Sequence, residues 1–194
     1  MPRPSILLRS LLAALLAGLA VAPAAQAQAP ARTVSDTVAL SSSGDVAVHN
    51  HEGRIAVTAW DRDQVRYEAQ IMPTDEDPDA EKTTIRTRTS QGRLQLATVH
   101  EDGDDESVVF GFDEDGFRWG GINIPAVHYI LTVPRSATLR IDDHESTIDV
   151  TGLAGTLHVD THDGRLSVDE HRGDLILEAH DGTITASGLE GDAT

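Results

Sequence analysis

Three histidines stand eighteen residues apart, and each is followed by an acid: His144-Glu145, His162-Asp163 and His180-Asp181. Imidazole nitrogen and carboxylate oxygen are the donor types that hold Zn²⁺ or a similar ion at about 2.0–2.2 Å. If residues eighteen apart lie over one another, the six side chains form a candidate metal ladder. Two other readings use the same residues. Solvated turns also favour Asp, whose side chain bonds nearby backbone N–H groups. A stacked His column would repel itself once protonated, so the array would loosen below about pH 6. The acids alone do not demand a cation, because unit charges about 4.8 Å apart repel by only about 0.9 kcal/mol in water.

The spacing belongs to a longer repeat. From His144 the chain reads HESTIDVTGLAGTLHVDT, HDGRLSVDEHRGDLILEA and HDGTITASGLEGDAT. Each eighteen divides into two nines of the form x-x-G-x-Φ-x-Φ-x-x, with Φ apolar. Gly155, Gly164, Gly173, Gly182 and Gly191 hold the third position, and Ser146 holds it in the first nine. Alternation after each Gly is the pattern of a half-buried strand. A fixed period of this kind marks a repeat architecture. The fold class implied is all-β: a parallel β-solenoid with 18-residue coils, each made of two 9-residue strand–turn units. Coils would supply Ile148, Val150, Leu157 and Val159, then Leu166, Val168, Leu175 and Leu177, to the interior. One coil buries too little to stand alone and needs neighbours to share its hydrogen-bond ladders.

Three segments follow. Residues 1–27 read as a signal peptide, with Arg3 and Arg9, an apolar run from Leu11 to Val21, and Ala25-Gln26-Ala27 as cleavage site. The run is too short to span a bilayer comfortably, so no transmembrane span is expected after cleavage. Residues 28–133 form a less regular N-terminal β region. It contains Gly44-Asp45-Val46-Ala47-Val48 and Gly53-Arg54-Ile55-Ala56-Val57, and His51-Glu52-Gly53 matches His162-Asp163-Gly164. Thr83–Val99 is expected as a hairpin turning at Ser90-Gln91-Gly92. Met72–Lys82 is expected as a loop with one helical turn near Ala80, and Val108–Phe112 as a strand between acidic loops. Residues 134–194 are the C-terminal repeat array. Its last coil stops without a visible cap, so the chain is expected to be a fragment of a longer protein, open to edge-to-edge self-association.

The formal net charge is −17, and the two arginines of the leader are not matched by any acid there. Such a surface repels nucleic acid and anionic lipid and favours basic partners. Aromatics make up only 4%, which leaves few stacking platforms for bases or sugars. There is no Cys, so stability must come from packing and backbone pairing.

Glycine-punctuated alternation from Ser146 to Val159, the run Ile55-Ala56-Val57-Thr58-Ala59-Trp60-Asp61-Arg62-Asp63-Gln64-Val65, and Tyr129-Ile130-Leu131-Thr132-Val133-Pro134 together resemble the bacterial putative-adhesin family. The likeness extends from about Thr33 to the end of the chain. It implies an exported, envelope-associated, non-enzymatic β-repeat protein in the periplasm or at the cell surface, with an envelope partner of unknown identity. The family's repeats commonly turn at Gly-Asn-Gly, where this chain has His162-Asp163-Gly164 and His180-Asp181-Gly182.

No cofactor motif is present, and no catalytic residue is assigned. G-x-S-x-G, H-E-x-x-H and the P-loop are missing. Calcium β-rolls place Asp two residues after the last Gly of each nine; here Leu157, Leu166, Leu175 and Ile184 occupy that place. The acidic loops lack the EF-hand order of ligands. The alternative from another class is a metal-binding or carbohydrate-acting β-helix protein using the His/acid ladder.

Overall fold

The computed structural model describes residues 28–75, 77–102, 106–109 and 124–191, with side chains omitted for 101–102 and 106–109. The leader, most of the acidic stretch from 103 to 123 and the last three residues lie outside that set, as does most of the strand expected at Val108–Phe112. All regular structure among the described residues is β. The strands are β1 (Arg32–Ala39), β2 (Asp45–His49), β3 (Glu52–Trp60), β4 (Gln64–Ile71), β5 (Thr83–Ser90), β6 (Arg93–Asp102), β7 (Glu106–Val109), β8 (Val127–Pro134), β9 (Thr138–Thr151), β10 (Leu157–Asp169), β11 (Leu175–Ala179) and β12 (Thr183–Ser187).

The eighteen-residue period appears directly as strand register. β9 and β10 pair in parallel with Leu139 beside Leu157 and Ile148 beside Leu166. β10 then pairs with β11 through Leu157 and Leu175, and with β12 through Leu166 and Ile184. Parallel ladders at constant offset follow from the repeat, because inward apolar residues must stay on one face. The early nine-residue motifs join the same stack: β2 lies beside the first half of β9, and β3 beside its second half. One rung is therefore β2 with β3, and the next three are β9, β10, and β11 with β12.

Two expectations are corrected. The rungs are not pairs of separate nine-residue strand–turn units throughout. β9 and β10 each run unbroken through the midpoint of the rung, so the chain bends inside a continuous strand. Nor do the rungs form a uniform solenoid. On its first side the stack passes through parallel neighbours β6 and β8 into antiparallel strands β5, β4 and β1, with β7 on the edge of β6 opposite β5, beyond the residues that pair with β2. The result is one twelve-stranded, barrel-like sheet, nearly closed around a single hydrophobic cluster. Short links explain the switch of direction. β5 and β6 are joined by Gln91-Gly92, both at positive φ (47° and 79°), which only an antiparallel hairpin can use.

Inward alternation with full burial holds along the rungs formed by β2 with β3, by β9 and by β10, while on the last rung only Leu175 is buried, Leu177 is half-buried and β12 is exposed. Val46, Val48, Ile55, Val57, Leu139, Ile141, Ile148, Val150, Leu157, Val159, Leu166 and Val168 are all buried. Val127, Tyr129 and Leu131 line the same core from β8. The turn expected near Ala80 is not helical: Ala80 has φ 51°, and Asp77 accepts backbone N–H bonds from Glu81 and Lys82 instead.

Candidate functional site: the corner of the rungs

Where each rung bends, four successive positions stack into columns. The outermost is a continuous row of imidazoles. His51 and His144 rings lie 5.0 Å apart at 11°, His144 and His162 5.1 Å apart at 47°, and His162 and His180 4.8 Å apart at 4°. The structure thus brings His144, His162 and His180 together as the period implied, and adds His51 at the head of the row. Its signal was present in the shared His-acid-Gly triplet at 51–53, but nothing in the order of the chain says that this rung abuts the one at 144.

The acids form the adjoining column. Glu52 pairs across the ladder with Glu145, and Glu145 with Asp163. Asp181 follows, its N–H donating to the His162 carbonyl at 2.8 Å. His162 Nδ1 lies 3.2 Å from Asp163 Oδ2, and His180 Nδ1 lies 3.5 Å from Asp181 Oδ2. One ligand atom each from His162, Asp163 and Asp181 falls within 4.8 Å of the others.

Behind the acids runs a column of small residues: Gly53, Ser146, Gly164 and Gly182. Gly53 and Gly164 take φ of 133° and 140°, and a Cβ on Gly164 would meet the Ser146 carbonyl at 2.3 Å. At Gly53 and Gly164 the backbones approach too closely for a Cβ, whereas Ser146 fits the same column in β9.

The inner lining of the corner is polar, and sequence reasoning missed it. Thr98 Oγ1 lies 2.9 Å from the Tyr129 hydroxyl and donates to Asn50 Oδ1 at 2.9 Å. Asn50 Nδ2 donates to Ser146 Oγ at 3.2 Å, which in turn donates to Asp143 Oδ1 at 2.6 Å. Thr161 Oγ1 donates to Asp143 Oδ2 at 3.2 Å. Burial raises Asp143 to about 7, with the Ser146 and Thr161 hydrogen bonds opposing the shift. Burial likewise pushes the Tyr129 phenol up, keeping it a neutral donor. Nothing periodic marks these residues, since Asn50, Asp143 and Thr161 share a column without sharing a type.

Electrostatics differ along the outer row. His51 is lowered to about 4, first by burial and then by His144. His144 is lowered by burial and by His162, against the pull of Asp163 and Glu145. Glu52 is raised by burial and by Glu145. Beside the acids lies an open groove of about 490 Å³, lined in part by Glu52, Glu145, His128 and Arg165. His128, which the repeat gave no reason to single out, is lowered by burial and by Arg54.

No protein-family model matches the chain, and no curated protein does. Among solved structures, a putative cell adhesion protein from Clostridium sporogenes is similar over 75% of this chain and 68% of its own, at 6% identity and TM-score 0.42. A putative adhesin from Parabacteroides merdae is similar over 86% and 78%, at 9% identity and TM-score 0.30. At these TM-scores neither likeness bears on what the corner does.

Proposed function

We infer that this chain is an exported, non-enzymatic interaction module of the cell envelope or surface. One observation supports the reading above all: the in-register rungs array outward side chains in straight rows. Arg54, Thr147, Arg165 and Thr183 form one such row, and Arg140, His158 and Ile176 another. Rows at the strand spacing of about 4.8 Å offer many equivalent contacts to an extended partner. Arg165 lines the groove, and Arg54, in the same row and ion-paired to Asp149 at 2.7 Å, is exposed beside it, so two guanidinium groups reach the surface of an otherwise acidic protein. An anionic envelope partner would be held there by guanidinium groups suited to bidentate contact.

The purified chain is expected to bind isolated bacterial envelopes saturably. The double variant Arg54→Glu, Arg165→Glu should cut that retention while leaving the circular dichroism unchanged. No saturable retention, or release of reducing sugar from envelope polysaccharide by the chain, would overturn the reading.

A further inference from the structure

We propose that the far end of the corner, formed by His162, Asp163, His180 and Asp181, is a binding site for a single divalent transition ion of the Zn²⁺ class. The donors are two imidazoles and two carboxylates, a set that suits Zn²⁺, Ni²⁺ or Cu²⁺ better than Ca²⁺ or Mg²⁺. They come from two consecutive rungs whose backbones are tied by the Asp181 N–H to His162 carbonyl bond at 2.8 Å and the His180 N–H to Thr161 carbonyl bond at 3.1 Å. The ladder therefore fixes where the four side chains start.

The side chains are already near one another. The ligand atoms of His162, Asp163 and Asp181 lie within 4.8 Å. Tetrahedral ligands about 2.0–2.2 Å from an ion sit roughly 3.3–3.6 Å apart, so closure requires movements of about 1 Å. His162, His180 and Asp181 are exposed and Asp163 is half-buried, so solvent reaches all four. His180 stands outside that group of three: its ring stacks on His162 at 4.8 Å and 4°, and its Nδ1 lies 3.5 Å from Asp181 Oδ2, so the ring must turn for its nitrogen to join as the fourth donor.

The opposite end of the row is less suited to the role. His51 is half-buried and surrounded by packed corner residues, and the tilt of 47° between His144 and His162 turns the His144 ring away from the pair below. The site also answers the charge of its own column, where Asp163 stands directly between Glu145 and Asp181. A bound dication would relieve that crowding.

The test is titration of the purified, chelator-treated chain with Zn²⁺ alone, followed by calorimetry and by the ring-proton NMR signals of the histidines. One ion per chain is expected, with the signals of His162 and His180 moving together. His162→Ala and Asp181→Asn should each weaken binding at least about tenfold, the lower bound seen even for outer partners of metal ligands. His158→Ala, an imidazole outside the corner, should leave binding unchanged. Melting curves of the metal-free variants show whether each still folds. Undiminished binding in both corner variants, no stoichiometric binding in the unaltered chain, or equal binding of Ca²⁺ at the same concentration would overturn the proposal. Retention on envelopes is measured without metal, so failure of either reading leaves the other standing.

Discussion

The middle rungs and the last one are built from the same repeat, yet they are not equivalent. Ile55, Ile148 and Leu166 occupy one inward position on successive rungs and are fully buried, whereas Ile184, at the same register on β12, is 42% exposed. Residue type is conserved along the column while the environment changes completely. On the β12 half of the stack burial is lost where no further rung follows, although Leu175 on β11 stays buried at 3%. Along a parallel stack each strand supplies half of its neighbour's shelter, so the repeat dictates where a side chain points but not how much water it loses.

The largest expected effects come from breaking a middle rung. Gly164→Ala puts a Cβ 2.3 Å from the Ser146 carbonyl at a φ of 140°, a combination of strain and backbone clash expected to cost at least about 3 kcal/mol. At the matching place in the last rung, Gly182 has no positive φ, and the nearest atom to an added Cβ is 2.8 Å away. Gly182→Ala should be clearly milder in urea unfolding. Equal losses at the two positions would mean that the rungs are not distinguished by their neighbours. Next in size, Leu166→Ala empties a fully buried site and should cost about 2–5 kcal/mol, the range for Leu→Ala in packed cores.

Much of this contrast was legible in the sequence. The period placed Ile148, Leu166 and Ile184 in one column and the three later histidines in another, because inward alternation and glycine at the bend are each encoded by residue type. What stayed hidden depends on contacts between distant parts of the chain. The antiparallel strands β1, β4 and β5 carry ordinary alternation that does not reveal which edge they join. Continuity of β9 and β10 through the corner was masked by polar residues that look like a turn, Asp142 to Ser146 and Asp160 to Gly164. Those residues read as turn formers because Asp and Gly usually are; here Asp143 is instead tied into the buried network that holds the bend.

That network sharpens the comparison through pH. Asp143 is raised by burial from the ordinary carboxylate range to about 7. The folded chain therefore holds its proton where the unfolded chain has lost it. The associated stability is fully present below about pH 4 and is lost as pH rises through about 7. His51, lowered to about 4, works in the opposite sense: its contribution is present above about 6.5 and is lost as pH falls toward 4. The difference in Tm between the unaltered chain and Asp143→Asn isolates the carboxyl. It should move against the unaltered chain between pH 4 and 7 and then level off. A difference independent of pH would mean that Asp143 is no more protonated in the fold than in the open chain.

The smallest effect is expected at the last rung itself. Ile184 is exposed at 42%, so Ile184→Ala removes methyl groups that water already reaches. Neither a cavity nor an unsatisfied polar group is left behind, and the cost should stay below about 1 kcal/mol, against the 2–5 kcal/mol of Leu166→Ala one rung earlier. The ratio of the two losses measures how far shelter by a neighbouring rung governs stability. If Ile184→Ala were as damaging as Leu166→Ala, β12 would have to be covered in solution by a further surface. Measuring the loss at two protein concentrations separates the cases, since cover by a second copy makes the melting point rise with concentration and cover from within one chain does not.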